Sequence, residues 1–268
     1  MKSSGPVVKL SSPATGEFWP VPVVFEDANL LALNKPAGLL TSPDRYDRER
    51  PNLMKLLHRD VERKAPWAEA RGLDYLANAH RLDFETSGVI LLAKDKPTLV
   101  ALANQFGTTH PEKAYVALVQ GVPETESFEV DLKLKPDERV PGLMRWSKEG
   151  KQSLTRFHVL ERFQGVSLLE CRPVTGRTHQ IRVHLKAAGF PIYADDDYGD
   201  GQQLFLSSLK RSYRLKEGAE ERPLTPSLAL HAWKLTVTHP VGGHPVEITA
   251  PWPADLEVAL KYLRRYAV

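Results

Sequence analysis

Two short segments of this 268-residue chain concentrate side chains that can do chemistry. The first, Ala79-His-Arg-Leu-Asp-Phe-Glu-Thr-Ser-Gly88, packs a histidine, an arginine, two acids and two hydroxyls into ten residues. It runs straight into the apolar stretch Val89–Ala93, so a core strand would frame it, and rigidly framed loops often carry function. The second, Pro173-Val-Thr-Gly-Arg-Thr-His-Gln-Ile-Arg-Val-His184, follows a strand pattern and opens a helical one. Gly176 there permits a tight turn, Thr178 can cap the helix, and Arg177 would stand at its mouth. The plain alternative for both segments is a capped turn with surface salt bridges.

Other constellations carry less. His58-Arg-Asp60 spells a kinase triplet, but it lies inside an amphipathic helical pattern with no phosphate loop before it, and reads as a solvated helix face. Nine histidines without a cysteine pair or an H-E-x-x-H motif give no recognisable metal ligand set, so no metal is expected. Asp195-Asp-Asp197 with Asp200 is dense in acid but lacks the spacing of a calcium loop, and reads as solvated.

The elements that must position these segments are mostly strands. Apolar or alternating runs mark Pro22–Phe25, Leu30–Leu33, Gly88–Ala93, Ala114–Val119, Phe128–Leu134, Ser153–Leu160, Val166–Pro173, Leu228–Thr238 and Val246–Ala250. Glu161-Arg-Phe-Gln-Gly165 between two of these is a hairpin signal. Helical spacing marks Asn52–Lys64, Lys96–Phe106, Thr178–Ala188 and Ala254–Tyr266. In the third, Ile181, His184, Leu185 and Ala188 share one face while Arg182 and Lys186 project from another. Clustered strands without strict alternation predict an α+β fold with a mainly antiparallel sheet and flanking helices. Residues 1–20 are rich in Pro, Ser and Gly and are expected to form a loose arm, with one domain over residues 21–268.

Composition bounds the rest. Hydrophobic residues at 42% and charged residues at 26% are ordinary for a globular protein, and the single cysteine, Cys171, excludes a disulfide framework. No apolar run is long enough to span a membrane and the first residues lack a signal-peptide core, so a cytoplasmic protein is expected. The net charge is only +3, but residues 141–190 hold nine Lys/Arg against three acids. A local basic surface of this kind suits a polyanion such as nucleic acid, or is a solvated face of mixed sign.

His80-Arg-Leu-Asp83 followed by Thr86-Ser-Gly88 resembles the signature of the RluA-like RNA pseudouridine synthases. Gly176-Arg-Thr-His-Gln-Ile-Arg-Val-His-Leu185 is similar to that family's second block, Asn34-Lys-Pro-Ala-Gly-Leu39 to its opening block, and Lys113-Ala-Tyr-Val-Ala-Leu-Val119 to its tyrosine strand. Leu230-His-Ala-Trp-Lys-Leu235 with His239-Pro240 resembles its last block. The blocks stand in the family's order across roughly residues 22–250. Only about twenty residues precede the first, fewer than the extra RNA-binding domain of many relatives needs. Where the family often has Gly-Asp before Tyr-Gly, this chain reads Ala194-Asp-Asp-Asp-Tyr-Gly199.

The resemblance implies the pseudouridine synthase fold and isomerisation of uridine in a stable RNA, transfer or ribosomal, with no cofactor. In that reaction the bond from ribose to uracil nitrogen 1 breaks and a bond to carbon 5 replaces it. It implies Asp83 as the acting carboxylate, at the ribose or at carbon 6 of the base. Arg177 would be its guanidinium partner, which would favour and orient the ionised acid. Tyr115 would be the active-site tyrosine, stacking on the extruded base or helping to remove the carbon-5 proton; on its own it reads first as a strand aromatic in the core. Arg81 would fill the space vacated by the flipped base. His80, Lys113, Arg182 and Lys186 are candidate RNA contacts. RNA is the expected partner, and nothing in the sequence points beyond a monomer.

Overall fold

The computed structural model describes residues 6–44, 47, 49–108, 111–216 and 218–268. In chain order the strands are β1 Val7–Ser11, β2 Phe18–Glu26, β3 Leu30–Lys35, β4 Ala77–Asn78, β5 Ser87–Ala93, β6 Glu112–Gln120, β7 Ser127–Pro136, β8 Met144–Trp146, β9 Lys151–Phe163, β10 Val166–Pro173, β11 Leu230–Thr238 and β12 Pro245–Thr249. The helices are α1 Leu53–Glu62, α2 Pro66–Glu69, α3 Lys96–Thr108, α4 Gln180–Ala187, α5 Leu206–Leu209 and α6 Ala254–Tyr266. The α+β class and the antiparallel pairing expected from the sequence are both found. The residues group into two compact units, one of residues 1–113 with 232–251, the other of residues 114–231 with 252–268. The sequence, read as a single domain, carries no mark of this boundary because the chain crosses it within strands and short connections.

In the first unit, β1, β2, β3, β5 and β11 lie side by side, with β12 paired to β11 and β4 to β5. All seven residues of β5 are buried, because each face of the strand meets its own core. Ile90 and Leu92 pack with Leu31, Leu33 and the α1 residues Leu53 and Leu57. Val89 and Leu91 pack with Leu30, Ala32, Leu102 of α3 and Ile248 of β12. A strand covered on both sides reads as an unbroken apolar run, as this one does. Asn52 caps α1 by accepting the Lys55 N–H at 2.9 Å.

Two expectations for this unit are corrected. From Val7 onward the chain is no loose arm: β1 pairs with β2 and buries Val8 and Leu10, an alternation obscured by the surrounding Pro and Ser residues; residues 1–5 fall outside the described residues. The His58–Asp60 segment is a solvated face only in part: His58 is exposed, but Asp60 is not. Asp60 is fully buried, accepting the Trp67 indole N–H at 2.9 Å beside the Arg63 guanidinium at 2.9 Å. His58 in turn is 2.7 Å from the Leu76 carbonyl.

In the second unit the order is β6-β10-β9-β7-β8. Ile181 and Leu185 of α4 pack onto Ala117, Val119, Leu169 and Cys171, so the helix lies on the sheet through one face. Along β7 only Leu134 is buried, so this strand has the wet face its alternation announced. The hairpin between β9 and β10 forms as expected, with Gly165 in the left-handed region at φ 73°.

Candidate active site

Asp83 stands on a loop whose two neighbouring carbonyls are both fixed from below. The buried Thr41 hydroxyl donates to the Leu82 carbonyl at 2.8 Å and accepts the Leu82 N–H at 3.1 Å. On the other side the Phe84 carbonyl accepts the Gly38 N–H at 3.0 Å and the Lys35 ammonium at 3.3 Å. The same ammonium donates to the carbonyls of Leu39 at 2.6 Å and Pro36 at 2.8 Å. Lys35 is 0% exposed. Burial pushes its pKa down to about 7, while the charge of Asp83 pulls it back up. Three accepting carbonyls call for three N–H bonds, which only the protonated amine has. The opening block thus folds beneath the aspartate loop and holds it with hydrogen bonds.

The loop is fixed at its two ends as well. His80 accepts the Leu91 N–H through Nε2 at 3.1 Å and stacks on Phe106 with ring centroids 5.0 Å apart. Burial, with Lys113 as a second cause, drives its pKa down to about 3, so the ring is neutral. His80, expected as an RNA contact, anchors the loop to β5 as a neutral ring. At the far end Gly88 has φ 115°, and a Cβ there would lie 2.2 Å from the Ala232 carbonyl oxygen. Only glycine lets β11 approach β5 so closely. Arg81 is exposed and Asp83 half-buried. Lys113 is half-buried, with its pKa lowered by burial.

In the second unit, Tyr115 is half-buried on β6, directly opposite Cys171 of β10. Strand β10 then runs out at Pro173 into the loop that carries Arg177. One side chain holds that loop. Gln180 is buried, and its Oε1 accepts the Arg177 N–H at 3.0 Å and the Thr175 hydroxyl at 2.7 Å. Its Nε2 donates to the Leu154 carbonyl and the Thr155 hydroxyl, both at 2.9 Å. Thr175 also accepts the Leu154 N–H at 3.1 Å, so the loop is riveted to β9. Arg177 itself is exposed, with Nε donating to the Gln152 carbonyl at 3.2 Å. Thr178 was expected to cap α4, but the residue at the cap is His179, in the left-handed region at φ 52°. Its Nδ1 lies 2.7 Å from the Tyr198 hydroxyl, which accepts the Met144 N–H at 2.7 Å.

Arg182 is not a surface contact. It is 3% exposed and forms a bidentate pair with Asp195, through Nε at 2.9 Å and an Nη at 2.6 Å, while the same Nη reaches Asp197 at 2.8 Å. Asp195 also accepts the N–H groups of Tyr198 at 3.0 Å and Asp197 at 3.2 Å. The acidic cluster read as solvated therefore has a buried member that answers the helix arginine. Lys186 is exposed, as expected. Lys35 and Gln180 are the residues that sequence reasoning passed over. Their only mark is position, inside the opening block for Lys35 and three residues after Arg177 for Gln180.

Among the described residues, Asp83, Arg81, His80 and Lys113 belong to the first unit, and Tyr115, Arg177, Arg182 and Lys186 to the second. Known proteins place the chain in a family. Residues 29–187 match the family model described as RNA pseudouridylate synthase. A ribosomal large subunit pseudouridine synthase C of Vibrio cholerae is 37% identical over 260 residues, covering 97% of this chain and 74% of the relative. The protein of the same name from Escherichia coli is 37% identical over 250 residues, with 90% and 70% covered. Among solved structures, human RNA pseudouridylate synthase domain containing 4 superposes with a TM-score of 0.69 at 27% identity, over 90% of this chain and 92% of that one. With the aspartate loop, the tyrosine strand and the arginine loop all built into the fold, the chain belongs to the RNA pseudouridylate synthase family, enzymes that isomerise uridine in RNA to pseudouridine.

Proposed function

We propose that Asp83 is the carboxylate that acts on the target uridine, that Arg177 orients it, and that Tyr115 stacks on the extruded base or assists loss of the carbon-5 proton. The observation that carries this reading is the framing of Asp83. The carbonyls on either side of it are tied down by Thr41 and by the buried ammonium of Lys35. A carboxylate held this way can meet a flipped-out base without rearranging. The isomerisation conserves atoms: the nitrogen 1 bond to ribose breaks, carbon 5 takes its place, the carbon-5 proton leaves, and nitrogen 1 gains one. No redox or phosphoryl step occurs, so no cofactor is required.

The substrate we propose is a stable RNA. Large-subunit ribosomal RNA is favoured over transfer RNA by the names of the Vibrio and Escherichia relatives. Arg81 and Lys186, both exposed, are proposed to meet the RNA. The enzyme is proposed to act as a monomer in the cytoplasm. The test is tritium release from ribosomal and transfer RNA transcribed with uridine labelled at carbon 5. Release from ribosomal RNA by the wild type and none by Asp83→Asn supports the reading; equal release by both proteins overturns the role of Asp83.

A further inference from the structure

Trp146 is the exposed tryptophan of this chain. It stands 52% exposed at the end of β8, while Trp19 is buried and the other three tryptophans are half-buried. An indole is a large apolar surface that proteins normally cover. This one lines a concavity of about 420 Å³ together with Asp131, Leu132, Lys133, Lys148 and Gln152. That volume lies within the range of pockets that hold small organic groups.

Two of the three charged side chains that line the concavity are cationic. Lys133 and Lys148 are exposed and have no ion-pair partner among the described residues. The one acid in the lining, Asp131, accepts the side-chain amide of Gln152 and keeps its charge, so the two lysines leave the patch with a net charge of one cation. Glu149, next to Lys148, is drawn away by Lys135 at 3.2 Å. An aromatic plate flanked by free ammonium groups has the chemistry of a nucleotide site: the base stacks on the ring and the lysines meet the phosphates. The position fits too. Gln152 lines the concavity with its side chain, and its carbonyl accepts Arg177 Nε at 3.2 Å. One residue therefore joins the Trp146 patch to the arginine proposed for the active centre.

We propose that Trp146, with Lys133 and Lys148, forms a stacking site for an unpaired nucleotide of the RNA substrate, at a position neighbouring the target uridine. This rests on the reading above that Arg177 belongs to the active centre. The site is indifferent to base identity, since every base presents a ring face, and it supplies affinity and placement rather than chemistry.

The experiment uses the full chain, a short oligouridylate carrying a fluorophore, and the variants Trp146→Ala, Trp146→Phe and Lys148→Ala, each checked for wild-type thermal unfolding. Stacking of one base on an aromatic side chain corresponds to about 5-fold to 150-fold in affinity. Trp146→Ala should weaken oligouridylate binding within that range. Trp146→Phe, which keeps a ring, should weaken it less. Quenching of tryptophan emission by unlabelled oligouridylate should be seen with the wild type and vanish in Trp146→Phe. Unchanged affinity in Trp146→Ala, or quenching that persists in Trp146→Phe, overturns the site, as does a wild type that fails to bind the oligonucleotide. Tritium release from ribosomal RNA is measured alongside to keep the two readings apart. If release is absent while binding depends on Trp146, the stacking site stands and the activity reading fails. If release is normal while Trp146→Ala changes neither KM nor affinity, the stacking site fails alone.

Discussion

The buried ammonium of Lys35 is hydrogen-bonded to the carbonyl of Phe84, the residue that follows Asp83, and the charge of Asp83 favours its protonated form. The lysine is thus at once the foot of the aspartate loop and a buried countercharge beneath it. Lys35→Met keeps the length and removes the charge, taking a donor from the carbonyls of Pro36, Leu39 and Phe84, of which Phe84 keeps the Gly38 N–H. The loss of stability should be about 2–4 kcal/mol, read from urea unfolding at neutral pH. Tritium release should fall as well, because the loop loses its support. A variant as stable and as active as the wild type would show that the ammonium holds nothing in place.

Asp83→Asn should keep the shape of the loop and lose the acting carboxylate. Turnover should drop by at least about a thousandfold, the scale of removing a group that works in the transition state. RNA affinity should stay within about threefold of the wild type, since binding rests mainly on other groups. Filter binding and tritium release measured on one preparation separate the two effects.

Acid should unfold the protein partly through His80. Its folded pKa is about 3, against 6.5 for a free imidazole. The unfolded chain therefore binds a proton that the folded chain refuses throughout that window. Stability from this group is fully present above pH 6.5 and declines as pH falls toward 3. His80→Gln retains an acceptor for the Leu91 N–H but does not titrate. Between pH 6.5 and 5 the wild type should lose about 2 kcal/mol more than this variant. Urea midpoints at the two pH values measure the difference.

The glycines of the two blocks should differ in their tolerance of a methyl group. Gly88→Ala drives a Cβ into the Ala232 backbone from a left-handed position and should cost about 3 kcal/mol or more. Gly38→Ala meets open space at φ 73° and should cost only about 1 kcal/mol of backbone strain. Thermal unfolding of the pair would reveal equal losses if close approach were not the cause.

Salt dependence should sort the arginines and lysines. Arg81→Ala and Lys186→Ala should each lower the slope of log affinity against log salt by about one. Arg182→Met should leave that slope unchanged and instead destabilise the fold by about 3 kcal/mol, because it strands Asp195 without its buried partner. A slope that falls with Arg182→Met would reinstate it as an RNA contact.

These residues show what the sequence could and could not reveal. Strand β7 was legible because one of its faces is wet, and β5 because neither is; both patterns follow from local burial. Motifs singled out Asp83 and Arg177, whose roles are those proposed above. Arg182 was misread because helical spacing shows which residues accompany it on its own face, not that Asp195, thirteen residues on, would close over it. Lys35 was invisible for a similar reason. A lysine ending a strand is ordinarily exposed, and only the folding of residues 36–41 and 82–84 around it supplies its acceptors. β1 was lost to composition, since the Pro and Ser residues about it outweighed an alternation of five residues.

The path of the chain has a consequence for its synthesis. The unit that bears Asp83 uses residues 1–113 and is completed by residues 232–251. While a ribosome is still making the intervening stretch, β4 covers Leu92 and Ala93 of β5, but the part of that edge destined for β11 waits unpaired, and Gly88 has no Ala232 to receive. An apolar strand left open so long invites mispairing. The first unit can close only once residues 232–251 have been made, so a nascent protein should gain its aspartate site no earlier than that.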